Sequence, residues 1–101
     1  MIKVQVVKNN DIIESISVTG HSGYSEAGSD IVCASVSSIC ITTVNAIVRL
    51  DNNAIEYKEA DGMLKVEVNS HSEVIDTLIF NMVELLSELA NDYKNYIKII
   101  K

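Results

Sequence analysis

The chain reads as a ββαββαβ domain of the α/β class, in its α+β form, with two helices packed on one face of a mixed or antiparallel sheet. Three observations predict this. Short runs alternate apolar and polar residues with the period of a strand. Two longer runs repeat apolar residues at intervals of three and four, the period of a helix. Turn-forming residues fall between the short runs, with Asn-Asn-Asp at 9–11 and Asp-Gly at 61–62. At 101 residues and 48% hydrophobic, the chain is expected to form one domain, 1–101, with a modest core.

Ile2, Val4 and Val6 point one way along a first strand over residues 1–8. Residues 12–19 return as its hairpin partner, with Ile16 and Val18 inward and Ser15, Ser17 and Thr19 outward. A polar loop extends to about Ser29, and Asp30 is a suitable N-cap for a helix over 31–50. Ser35, Ser38, Thr42, Asn45 and Arg49 form one polar stripe on that helix; its other faces are apolar, which predicts a largely buried helix. A second hairpin, 54–59 and 63–69, turns at Ala60-Asp61-Gly62, with Leu64, Val66 and Val68 inward. Ser70 and Glu73 fit a capping box for a helix to about Asp92, whose apolar face is Ile75, Leu78, Met82, Leu85, Leu86 and Leu89. Tyr96–Ile100 closes the order as a short strand.

Composition narrows the function. The net charge is −6, with only eight Lys and Arg scattered along the chain. Nucleic-acid affinity rests on neutralising phosphates, so direct nucleic-acid binding is disfavoured and a basic protein partner is favoured. Ser, Thr and Asn interrupt the apolar runs before the ~20 residues of a membrane span, and the opening MIKVQVV lacks the form of a signal peptide. A cytoplasmic location without membrane association is expected. Cys33 and Cys40 would lie about 10 Å apart along one helix, too far for a disulfide, so both are expected as free thiols. Neither has a second ligand at metal-binding spacing, so no metal or other cofactor is expected.

The segment GHSGYSEAGSDIVCASVS, residues 20–37, concentrates the chemistry. Cys40 sits between Ile39 and Ile41 and fits a core position, and His71 fits a surface position near a helix start. Cys33 would occupy the first turn of its helix, where unpaired amides and the helix dipole favour a thiolate. His21, at the exit of the preceding strand, is placed to face that helix start. A thiolate with an adjacent imidazole is the pairing of a cysteine nucleophile and its general base and acid. Free amides at the helix start would serve a developing oxyanion. On spacing alone this competes with a solvated His and a core Cys, with a redox-sensing thiol, and with a non-catalytic binding module for a basic protein.

Gly20-His21, Gly23-Tyr24 and Gly28-x-Asp30-Ile31-Val32-Cys33-Ala34-x-Val36-Ser37 resemble the signature of the ribosomal-processing cysteine proteases. The likeness extends over the whole chain, through the TTVNAI run at 42–47, the second hairpin and the final helix. These small bacterial enzymes remove a short N-terminal extension from one large-subunit ribosomal protein, a step required for ribosome assembly. The resemblance implies a catalytic dyad of Cys33 as nucleophile and His21 as base and acid. Asp30 and Ser37 match motif positions as supporting residues, Asp30 at the least as N-cap. The family pattern places alanine where this chain has Ser22, a small departure that leaves the dyad in place. Gly20, Gly23, Tyr24 and Gly28 would belong to a loop that admits a peptide and changes shape on binding. Cleavage after paired aromatic residues implies an apolar pocket, for which Met63, Leu64 and Tyr24 are candidates. A homodimer is also implied.

Overall fold

A computed structural model of the chain describes residues 1–26 and 28–101. The alternating runs become strands β1 (Ile2–Asn9), β2 (Ile12–Thr19), β3 (Ile55–Ala60), β4 (Met63–Val68) and β5 (Ile97–Ile100). The helices are α1 (Ile31–Leu50) and α2 (Glu73–Asp92), in the order ββαββαβ. The strands form one sheet in the order β3-β4-β2-β1-β5. Every neighbouring pair is antiparallel except β1 and β5, which run parallel, so the sheet is mixed.

Asn10 and Asp11 both take positive φ, 53° and 67°, the backbone of a tight hairpin turn matched to strand twist. Beyond that turn the register slips: Val7 pairs with Ser15 but Lys8 pairs with Ile13, leaving Glu14 as the extra residue of a bulge. The slip lets Ile13 join Ile16 and Val18 on the inner face. Ile2, Val4 and Val6 of β1 and Leu64, Val66 and Val68 of β4 complete that face, while Lys3, Gln5 and Lys65 stand on the other. Both helices cover the inner face, and the buried residues form one continuous cluster.

Three expectations change on packing. The first concerns α1, which buries a single face: Val32, Val36, Cys40, Thr43, Val44 and Ile47. Ile31, Ile41, Val48 and Leu50 are exposed, so the helix is half-covered rather than mostly buried. One sheet face and one neighbouring helix reach only part of a helix circumference. By length and composition α1 is also apolar enough to cross a membrane, contrary to the sequence reading, although here its inner face packs in the core. Second, α2 turns Ile75, Ile79, Met82, Val83 and Leu86 inward and leaves Leu85 exposed. Third, its N-cap is Ser72, whose hydroxyl accepts from the Ile75 amide at 3.2 Å, and not Ser70. The amides of Asn69 and Ser70 both bond the Ala54 carbonyl, which holds the chain extended past the expected start.

The end of β2, the start of α1 and the β3–β4 turn meet at one edge of the molecule. A hydrogen bond of 2.9 Å from the Gly20 amide to the Gly62 carbonyl ties two of them together.

Candidate active site

Asp30 fixes the start of α1. Its backbone is extended, and its Oδ1 accepts from the amides of Val32 at 3.0 Å and Cys33 at 2.9 Å. Its Oδ2 accepts from the Ser22 hydroxyl and, at 3.5 Å, from the Ser25 amide. These donors favour the charged form, the Ser22 hydroxyl most and the Cys33 amide next, and hold the carboxyl at about 2. One expectation is thereby corrected. The amides of Val32 and Cys33 are not free to receive an oxyanion, because the N-cap that organises the helix consumes them.

The Cys33 sulfur is half-buried and accepts a hydrogen bond from the Ser22 amide at 3.4 Å. Ser22 itself is only 4% exposed. His21, the residue before it, carries its imidazole out over the β3–β4 turn, with 65% of the side chain exposed. Its Nε2 lies 3.7 Å from Asp61 Oδ1, a contact that solvent screens. The ring also sits against Gly62: a Cβ on that glycine would stand 2.9 Å from Nε2, at a φ of +68°. Gly62 therefore leaves the space in which the histidine stands. The Asp-Gly signal read in the sequence as a turn is also a wall of the site, and nothing in its local pattern distinguishes the two roles.

His21, Cys33, Ser37 and Asp61 border a trough with two lobes. The lobe toward the sheet, about 350 Å³, is lined by apolar side chains that include Ile2, Val18, Val36, Ile41, Met63 and Leu64. The lobe toward the loop, about 630 Å³, is bordered by Ser25, Gly28, Asp30 and Ala34. An extended peptide laid along this trough would have chain on either side of the sulfur. Ser37 is exposed beside Cys33, and among the described residues its hydroxyl makes no hydrogen bond, unlike Ser35 and Thr43, which bond the preceding turn.

Met63 and Leu64 line the apolar lobe as expected, but Tyr24 does not. Its ring packs edge-on against Tyr93 at 5.8 Å and Tyr96 at 5.1 Å, anchoring the loop to the far end of α2. The ring stays 41% exposed, and edge-to-face contact with two other rings holds it away from the trough. Gly20 is required by close approach, since a Cβ there would meet the Met1 carbonyl oxygen at 2.5 Å. Gly23 and Gly28 have open space around them, so close approach does not explain these two.

A sulfur at a capped helix start, an imidazole on a neighbouring turn and an open trough between them suit nucleophilic attack on a peptide carbonyl. The sequence model of the family "Cysteine protease Prp" matches residues 1–98. The chain belongs to this family. The Prp family is one of cysteine peptidases, and the match covers almost the whole chain. The ribosomal processing cysteine protease Prp of Bacillus subtilis is 27% identical, over 98% of this chain and 96% of its own. The protein of the same name from Staphylococcus aureus is 26% identical over 98% and 97%. Among solved structures, Staphylococcus aureus Prp with a covalently linked product peptide superposes at a TM-score of 0.92, with 25% identity over 99% of this chain and 98% of that one. SMU.848 from Streptococcus mutans superposes at 0.81, with 28% identity over 99% and 92%. The Prp fold and its peptidase activity thus accompany the ββαββαβ order read from the sequence.

Proposed function

We propose that the chain is an endopeptidase that removes the N-terminal extension of a large-subunit ribosomal protein, with Cys33 and His21 as its dyad. The observation that supports it is a single trough bordered by both Cys33 and His21. In this reading the Cys33 thiolate attacks the scissile carbonyl carbon, forming a C–S bond and moving charge to the carbonyl oxygen. His21 then gives a proton to the leaving amine as the C–N bond breaks, leaving a thioester. A water deprotonated by His21 attacks that thioester, releases the new carboxylate and returns the proton to the dyad.

The substrate reading draws on three facts. The net charge of −6 favours encounter with a basic protein. The apolar lobe around Met63 and Leu64 suits large side chains beside the scissile bond. Relatives similar over nearly their full length bear the name ribosomal processing protease. Asp30 supports the reaction by holding the helix start, Ser37 borders the sulfur, and the loop with Gly20, Gly23, Tyr24 and Gly28 opens to seat the peptide. The enzyme works in the cytoplasm, as a homodimer, at a step needed for ribosome assembly.

The test is mass spectrometry of an extended ribosomal protein before and after incubation. The parent should release one N-terminal peptide, and Cys33→Ala should release none while remaining folded. Cys40→Ala should retain cleavage, at a stability cost of about 1 kcal/mol for the small cavity. Equal loss in both variants at equal folded fraction would assign the nucleophile wrongly.

A further inference from the structure

Ser22, next to His21, has no role assigned by the motif, yet it is the most enclosed polar side chain beside the sulfur, at 4% exposure. Two of its three polar contacts are to Asp30 and Cys33. The hydroxyl donates to Asp30 Oδ2, its own Oγ accepts from the Tyr24 amide at 3.1 Å, and the Ser22 amide donates to Cys33 Sγ at 3.4 Å. An alanine here would keep the amide but lose the bond that fixes it.

We infer that Ser22 is a positioning residue of this peptidase: its hydroxyl, held on the Asp30 carboxylate, keeps its own backbone N–H on the Cys33 sulfur. The chemistry follows from which amides remain available. The Cys33 amide is committed to Asp30 Oδ1, so the helix start offers the sulfur no donor through that group. Among the described residues the Ser22 amide is the backbone donor directed at the sulfur, and a donor there favours thiolate over thiol. Asp30 consequently has two tasks. Through Oδ1 it caps α1 and orients Cys33, and through Oδ2 it anchors the strand exit that carries both the Ser22 amide and His21. The Asp30 carboxylate itself touches the Cys33 side chain, and the other titratable groups bordering the trough are His21 from the end of β2 and Glu59 and Asp61 from the β3–β4 hairpin.

This inference rests on Cys33 being the nucleophile, and the experiment separates the two. In a Cys40→Ala background, which leaves one thiol, the pH profile of Cys33 alkylation by iodoacetamide is measured for the parent, Ser22→Ala, Asp30→Asn and the double variant. Asparagine retains the N-cap acceptor but not the charge to which the Ser22 hydroxyl donates. Ser22→Ala should move the profile to higher pH and slow alkylation near neutrality by about tenfold, the effect of one pK unit. In peptide cleavage, kcat should fall with it while KM changes little. Asp30→Asn removes the anchor of the Ser22 hydroxyl but also a negative charge beside the sulfur, so the informative quantity is the coupling: Ser22→Ala should shift the profile much less in the Asp30→Asn background than in the parent. A Ser22→Ala profile that superposes on the parent, or a loss of kcat with no shift, overturns the inference. If Ser22→Ala does not fold, Ser22→Gly, which likewise lacks the hydroxyl, decides: a shift to higher pH supports the clamp and an unchanged profile refutes it. Cleavage surviving in Cys33→Ala would instead defeat the assignment of the nucleophile, while the alkylation profiles still report on the clamp.

Discussion

At the residue scale, the two cysteines show how position divides one side chain between two fates. Cys40 is fully enclosed between the sheet and the helices, and burial pushes its thiol up to about 12. It stays protonated and packs as a small apolar group. Cys33 lies two turns earlier on the same helix, half-buried at its first turn and bordering an open trough. Gly62 shows the same dependence on position. Its φ of +68° costs a side chain strain, and a Cβ would lie 2.9 Å from His21 Nε2. Gly62→Ala should therefore lower stability by about 1 kcal/mol and displace the imidazole. The expected result is a fall in kcat larger than the fall in folded fraction, read by cleavage assay beside thermal melting. A melting change alone, with kcat of the folded protein preserved, would show that the histidine tolerates the crowding.

At the element scale, α1 and α2 are fastened to the sheet by different chemistry. The start of α1 is held by the Asp30 cap and its Ser22 donor. The start of α2 is held by an ionisable group. His71 Nδ1 is 2.7 Å from Asp76 Oδ1 and its Nε2 is 3.3 Å from Glu14 Oε2, the residue set outward by the β2 bulge. The hydrogen bond to Asp76, more than the one to Glu14, raises the imidazole above its ordinary value of 6.5. Because the folded value is the higher one, the link contributes fully below the unfolded value. It fades as pH rises through the folded value. His71→Ala should thus destabilise the protein more at about pH 5.5 than at about pH 9, where the neutral ring holds its carboxylates weakly. Chemical denaturation at the two pH values measures it, and an equal loss at both would exclude the imidazolium bridge.

At the scale of the whole molecule, one sheet face covered by two helices leaves apolar surface unspent. Ile31, Ile41 and Val48 fall on a single exposed stripe of α1 together with Ala34, Ser38 and Asn45, since these positions repeat at three and four. Ile41 on that stripe also lines the apolar lobe of the trough. The proposed homodimer would cover this stripe and set a second subunit close to the substrate. Val48→Glu, which puts a charge on the stripe away from the dyad, should shift the protein toward monomer in sedimentation velocity without unfolding it. A parent that sediments as a monomer at all concentrations would remove the dimer.

The sequence by itself determined the order of elements and the bounds of β2 and α1, because strand alternation, helical spacing and the Asp30 cap are local signals. It also brought His21 and Cys33 forward as candidates, through the likeness of the segment around them to a family signature, and both border the trough. Only the tertiary structure decided what surrounds them. The seating of His21 on Gly62 and the packing of Tyr24 on Tyr93 and Tyr96 join residues far apart in the chain. No local pattern encodes such meetings. The exposed face of α1 was hidden for the same reason, because how far neighbours wrap a helix depends on the sheet and on α2, not on its own residues. The clearest case is Ser22, a small polar residue in a loop until Asp30, Tyr24 and Cys33 converge on it. Hydrogen bonds that span turns of chain are fixed by where the backbone goes, and the backbone is placed by the core.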